Sequence, residues 1–249
     1  MASSGTQPVF SSDTEQQSHG FQVATRQRWE DLGLLLLVAV APLVFNAFAA
    51  LIYWPMKPAQ SAMYTRIRIL SNLLHEFISL VLVAYVLRRQ RRTVRTIGMS
   101  FHWTDPLAGA ALAAGGLFLS TMLSIVIRNA SFLMTGIFGE LRNPRVIFAG
   151  LTPALFLVYM MASSVFEETV VRGFLMTEIT GLGRPVWMAA LASVVLQTSY
   201  HVYYTIPGAL SLSGIFIVFA LYFARARRLL PVIIGHACVD LVAMWSFYR

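Results

Sequence analysis

Cysteine occurs once, at Cys238, so the chain can form no internal disulfide and its redox compartment cannot be read from cysteine usage. Charge is almost as scarce. Only 12% of the 249 residues are Asp, Glu, Lys or Arg, against roughly 25% in an ordinary soluble domain. The first 31 residues are rich in Ser, Gln and Thr, and lack the basic start and apolar core of a cleavable signal peptide. There is no internal repeat. Together these shortages exclude a soluble globular enzyme, a disulfide-framed secreted domain and a solenoid.

What the chain has instead is hydrocarbon. Hydrophobic residues make up 57% of it and mean hydropathy is positive. Apolar runs at 32–54, 67–87, 106–127, 146–166, 186–203, 209–224 and 231–247 each approach membrane-spanning length. They predict an all-α fold, a polytopic transmembrane helical bundle of about seven spans, with six to eight allowed. The expected organisation is a polar, disordered tail over 1–31, N-terminal spans over 32–145, and a core over 146–249 within the same membrane domain.

Nineteen Lys and Arg against eleven Asp and Glu suggest nucleic acid at first sight. The positive-inside rule accounts for them better. Basic residues cluster in "RRQRRTVR" (88–95) and "RARR" (225–228), with Arg26 and Arg28 before the first span. A cytoplasmic N-terminus and seven spans put all three clusters on the cytoplasmic side, although Lys57, Arg66, Arg68, Arg128, Arg142 and Arg145 then fall outside. The expected partners are therefore a lipid bilayer and no nucleic acid.

The informative stretch is "SSVFEETVVRGFL", residues 163–175. A charge at bilayer depth costs roughly 2.5 to 3.5 kcal/mol even on insertion scales, so Glu167, Glu168 and Arg172 mark function by default. Glu168 and Arg172 are four residues apart and share a helix face. Glu167 lies about 100° away around the helix, which leaves it free for chemistry. His201 in "LQTSYHVYY" and the His236/Asp240 pair in "IIGHACVDLVAMW" add imidazole and carboxylate. Those are the groups that bind zinc or activate water. Cys238 falls on nearly the opposite side of a helix from His236, which argues against a Cys–His nucleophile. "HEFIS" at 75–79 begins like a zinc-protease motif, but Ser79 replaces the second histidine. His75 and Glu76 are left as candidates for packing or for a cavity wall, and His102 as an inert interfacial residue.

The order E-E-x-x-x-R, then a histidine, then H-x-x-x-[N/D] on a late span resembles the CAAX prenyl protease type II and bacteriocin-processing family, called CPBP or Abi. "EETVVRGFL" and "LLPVIIGHACVDL" carry most of the similarity, within residues 146–247. The resemblance implies an intramembrane endopeptidase, a hydrolase acting on a membrane-associated peptide or protein, in a multi-pass protein of the bacterial inner membrane. It implies Glu167 as the base, His201 as a holder of the attacking water, and Glu168 with Arg172 as a structural pair. His236 and Asp240 then complete the site, on a metal or beside the oxyanion. A divalent metal, zinc, would take its ligands from Glu167, His201, His236 and Asp240.

Two departures stand out. Gln197 occupies the position of the phenylalanine in the family's F-x-x-x-H, and Asp240 stands where asparagine is common. Ionised carboxylate cannot donate to an oxyanion, so Asp240 fits a metal ligand or an orienter of histidine. Gln197 favours the main alternative, a non-catalytic scaffold or regulator. A proton-coupled transporter should show two similar halves with broken helices, and the sequence shows none. In a strict seven-span count His201 and His236 lie near opposite membrane faces. They can meet only if 203–208 dips inward or the fifth and sixth spans stop short.

Overall fold

The computed structural model describes residues 11–53, 65–135 and 152–248. Lys57, Arg142, Arg145, residues 1–10 of the tail and the expected boundary at 145/146 lie outside the described residues. Among the described residues nine α-helices follow in order: α1 (Ser11–Ala39), α2 (Ala41–Tyr53), α3 (Arg66–Arg89), α4 (Asp105–Thr135), α5 (Pro153–Glu168), α6 (Thr177–Gly181), α7 (Val186–Ser199), α8 (Ile206–Ala226) and α9 (Leu230–Tyr248). A π-helical stretch, Thr169–Met176, joins α5 to α6 so that Pro153–Gly181 runs as one helix. The protein is thus a polytopic helical bundle. Residues 11–31, expected as a disordered tail, form the first part of α1, where Arg26 and Glu30 make a helical i,i+4 ion pair.

Among the described residues five helices are long and apolar enough to cross a membrane, and α7 and α9 are shorter apolar helices. The surface chemistry is that of a lipid-facing bundle. On α3, Leu70, Leu74, Phe77, Val81 and Tyr85 are exposed, whereas Glu76 and Ser79 are buried. Polar groups turn inward because hydrocarbon offers them no hydrogen bonds.

Local sequence explains how the first pass stays intact. Pro42 has no N–H, so the carbonyl of Val38 loses its helical donor. His75 of α3 fills the gap, its Nε2–H donating to the Val38 oxygen at 2.9 Å. His75 is therefore a packing residue that ties α1 to α3. At one end of the bundle, which we call the arginine end, buried acids collect basic partners. Glu178 is fully buried between Arg28 and Arg92, Asp31 accepts from Arg89 and Gln90, and Asp105 accepts from Arg228. The opposite end holds the starts of α3, α5 and α8.

α4 packs along α8 and α9. Small residues set that approach, as expected where helices associate without a hydrophobic driving force. A Cβ on Gly214 of α8 would lie 2.5 Å from the backbone nitrogen of Ser120. Backbone cannot move aside as a side chain can. Gly214→Ala should therefore lower thermal stability in detergent by about 1–3 kcal/mol through overpacking. Gly33→Ala, which meets nothing within 4 Å, should leave the melting temperature unchanged or slightly raised. Equal melting temperatures for Gly214→Ala and wild type would contradict the close packing of α4 on α8.

Candidate functional site

The site is built on one helix turn and filled from two others. Glu168 ends α5, and the π-helical stretch that follows is buried throughout. Arg172 and Glu168 are both fully buried and lie 3.3 Å apart, as their spacing of four predicts. Arg172 also donates through Nη2 to the carbonyl of Phe216 on α8, at 3.2 Å. A third group joins them. His236 Nδ1–H donates to Glu168 Oε1 at 2.8 Å, so one carboxylate ties α5 to α9.

Glu167 points another way, and it is not free as the sequence suggests. Its Oε2 accepts hydrogen bonds from Gln197 Nε2 and from the Tyr200 hydroxyl, each at 2.9 Å. Neither partner was predicted. The only signal was that Gln197 and Tyr200 flank the candidate His201 within one helical turn and carry donors. A phenylalanine at position 197 has no hydrogen bond to offer, so this glutamine replaces packing with a grip on the carboxylate.

His201 follows the end of α7. Its Nδ1 lies 2.8 Å from the Gln197 carbonyl. A carbonyl only accepts, so Nδ1 carries the proton and Nε2 presents its lone pair. Aromatic rings frame the imidazole, with the Phe216 centroid at 4.8 Å and Tyr203 stacked at 5.8 Å. The depth conflict between His201 and His236 resolves through helix length. α7 has 14 residues, about 21 Å at 1.5 Å per residue, too short for a hydrocarbon layer of roughly 30 Å. It stops inside the bundle. The 3₁₀ turn Val202–Tyr204 then leads to the start of α8. Thr205 takes φ 89° there and caps α8 by accepting from Gly208 N. A β-branched residue in that region is strained.

Asp240, one turn beyond His236, accepts from Ser164 Oγ at 3.0 Å, and its Oδ2 lies 3.7 Å from His236 Nε2. Glu167, His201, His236 and Asp240 line one cavity, so the structure brings together all four candidates proposed for the chemistry. His102 stays outside the site, its backbone N–H donating to Asp105. Glu76, offered by the sequence only as a possible cavity wall, lines a second cavity that also reaches Glu167.

As they stand, the donors do not form a metal cage. Among the described residues no three His, Cys, Asp or Glu side chains converge on a point that an ion could occupy.

The family described as type II CAAX prenyl endopeptidase, Rce1-like, has a model that matches residues 149–242. That span contains the four cavity residues, Glu168 and Arg172. No curated protein and no solved structure matches the chain.

The buried trio generates a stability test. Arg172→Ala removes the cation from a carboxylate with no access to water. By analogy with buried pairs broken on one side, the loss should be about 3–5 kcal/mol, read as a lower melting temperature or a lower folded yield. Wild-type stability in Arg172→Ala would show that Glu168 does not need it.

Proposed function

We propose, from the match of residues 149–242 to the Rce1-like, type II CAAX prenyl endopeptidase family, that the chain is an intramembrane endopeptidase whose attacking water is activated by Glu167. One observation carries the proposal. Glu167 is the carboxylate oriented by Gln197 and Tyr200 toward a cavity that also holds His201, His236 and Asp240, while its neighbour Glu168 is consumed by structure.

In this reading a water lies between Glu167 Oε1 and His201 Nε2. Glu167 takes one proton as the water oxygen attacks the carbonyl carbon of the substrate. His236, flanked by Glu168 and Asp240, donates from Nε2 to the developing oxyanion when it carries its second proton. Collapse of the tetrahedral intermediate breaks the C–N bond. Glu167 returns the proton to the leaving amine, so that one peptide bond and one water become a carboxylate and an amine. Asp240 orients His236 and need not donate, which removes the objection to aspartate at that position. Gln197 likewise ceases to argue for an inactive scaffold.

The substrate in this proposal is a membrane-associated peptide or membrane protein, prenylated or not, reached within the lipid bilayer. The arginine distribution supports a cytoplasmic N-terminus, and the membrane in this reading is a bacterial inner membrane. Zinc dependence is the alternative chemistry, and the donor arrangement gives it no support.

Glu167→Gln keeps an oxygen for Gln197 and Tyr200 but cannot accept a proton. Cleavage should fall by about 10²–10⁴-fold, with insertion and melting temperature unchanged. Near-wild-type cleavage by Glu167→Gln would remove Glu167 from the role of base. Cleavage by the purified protein should also survive exhaustive chelation. Loss of activity that zinc restores would replace this mechanism with a metal-assisted one.

A further inference from the structure

Two cavities meet at Glu167, and the chemistry above uses only one. That one is walled in part by Met160, Leu212, Ile215 and Val239, side chains suited to an apolar substrate. The second is different in character. Asn46 of α2 lines it together with Arg68, Asn72 and Glu76 of α3, and Glu167, Tyr200 and His201 line it as well. Arg68, Asn72 and Glu76 are spaced by four, so they form one polar row along a helix whose outer face is apolar.

Glu76 sits deepest in that row and is only 5% exposed. Ser163 Oγ donates to its Oε1 at 2.6 Å, but Oε2 has no partner among the described residues. Asn72 is tied to the Tyr159 hydroxyl at 3.2 Å. Glu76 thus carries a buried carboxylate oxygen without a partner and lines a cavity that also offers Asn46, Asn72, Tyr200 and Glu167, polar neighbours of the kind ordered water needs, two to four in number. Asn72 lies 17 residues before Arg89, about 26 Å along α3 at 1.5 Å per residue. The row therefore starts at the end of the bundle opposite the arginine end.

We propose that the second cavity is the water supply of the site: an aqueous cleft that enters from the membrane face opposite the arginine end, with Glu76 as the positioning residue for water that reaches Glu167. The role of Glu76 rests on the reading of Glu167 as base, whereas the cleft itself does not. A separate inlet solves a problem set by hydrolysis in hydrocarbon. The substrate fills the apolar cavity, and the water arrives without having to pass it.

Thiol accessibility tests the cleft independently of activity. In a Cys238→Ser background, Asn72→Cys, Leu74→Cys and Arg91→Cys are exposed to a membrane-impermeant trimethylammonium methanethiosulfonate. Right-side-out and inverted membrane vesicles present the two faces. Asn72→Cys should react from the face opposite to the one that labels Arg91→Cys, and the lipid-facing Leu74→Cys should not react. No reaction at Asn72→Cys, or reaction from the Arg91 face, overturns the cleft. For Glu76 the readout is a split of rate constants. Glu76→Leu should lower kcat by about 10- to 100-fold, the scale of a misplaced reactant, with KM unchanged, and Glu76→Gln should retain most of the rate. Asn72→Leu gives the same readout if Glu76→Leu does not fold. Wild-type kcat in the folded leucine variant overturns the role of Glu76. Labelling as expected in a chain that cleaves nothing supports the cleft and overturns the endopeptidase reading.

Discussion

A carboxylate that cannot reach water must be satisfied by the protein, and Glu168 is that carboxylate here. It is fully buried, and its Oε1 draws two partners, Arg172 from its own helix and His236 from α9, while Oε2 has none among the described residues. Arg172 reaches on to the backbone of α8. The need to satisfy one charge thus fixes three helices against one another. Such an ionic group adds little net stability compared with a well-packed apolar core. What it supplies is registry: α9 can slide or rotate only by leaving Glu168 short of a donor. Because His236 and Asp240 are carried on α9, registry at Glu168 also sets their distance from Glu167, the residue before it.

The second constraint is length. A helix that crosses the bilayer places its ends at the two interfaces, where a histidine meets bulk water. α7 is too short to cross, so His201 emerges at the level of Phe216, midway along α8. The interruption is tolerated because the turn that follows packs against α2 and α8 rather than lipid. Non-helical backbone at depth is allowed where protein covers it. The strained φ of Thr205 is part of the cost of turning the chain there.

Features that depend on local geometry were legible in the sequence. The spacing of Glu168 and Arg172 announced a pair, and the 100° step to Glu167 announced a different environment for its neighbour; the structure agrees on both. The membrane bundle followed from composition. Features that depend on meetings between distant segments were not legible. Glu76 and Ser163 are 87 residues apart, and nothing local in either stretch connects them. His75 looked like half of a metal motif. Its partner is a carbonyl orphaned by Pro42, visible only once α1 and α3 lie side by side. Gln197 was misread for a subtler reason: measured against phenylalanine it looked like a loss, yet its amide is a donor at the one place where a carboxylate needs orienting.

The two ends of the bundle show how similar charges serve different purposes. At the arginine end every buried acid among the described residues is matched: Glu178 by Arg28 and Arg92, Asp31 by Arg89, Asp105 by Arg228. These pairs hold α1, α3, α4 and α6 to their neighbours, and their arginines remain partly exposed, so water shares the cost of both charges. Nothing about them is poised to react. Toward the other end the carboxylates of Glu76, Glu167 and Asp240 are met mainly by neutral donors, from Ser163, Gln197, Tyr200 and Ser164. A hydroxyl or an amide orients a carboxylate without neutralising it. A carboxylate held that way keeps its capacity to take a proton, the property a guanidinium partner would suppress. The division follows from partner type alone: arginine where acids must hold helices together, neutral donors where they must remain basic.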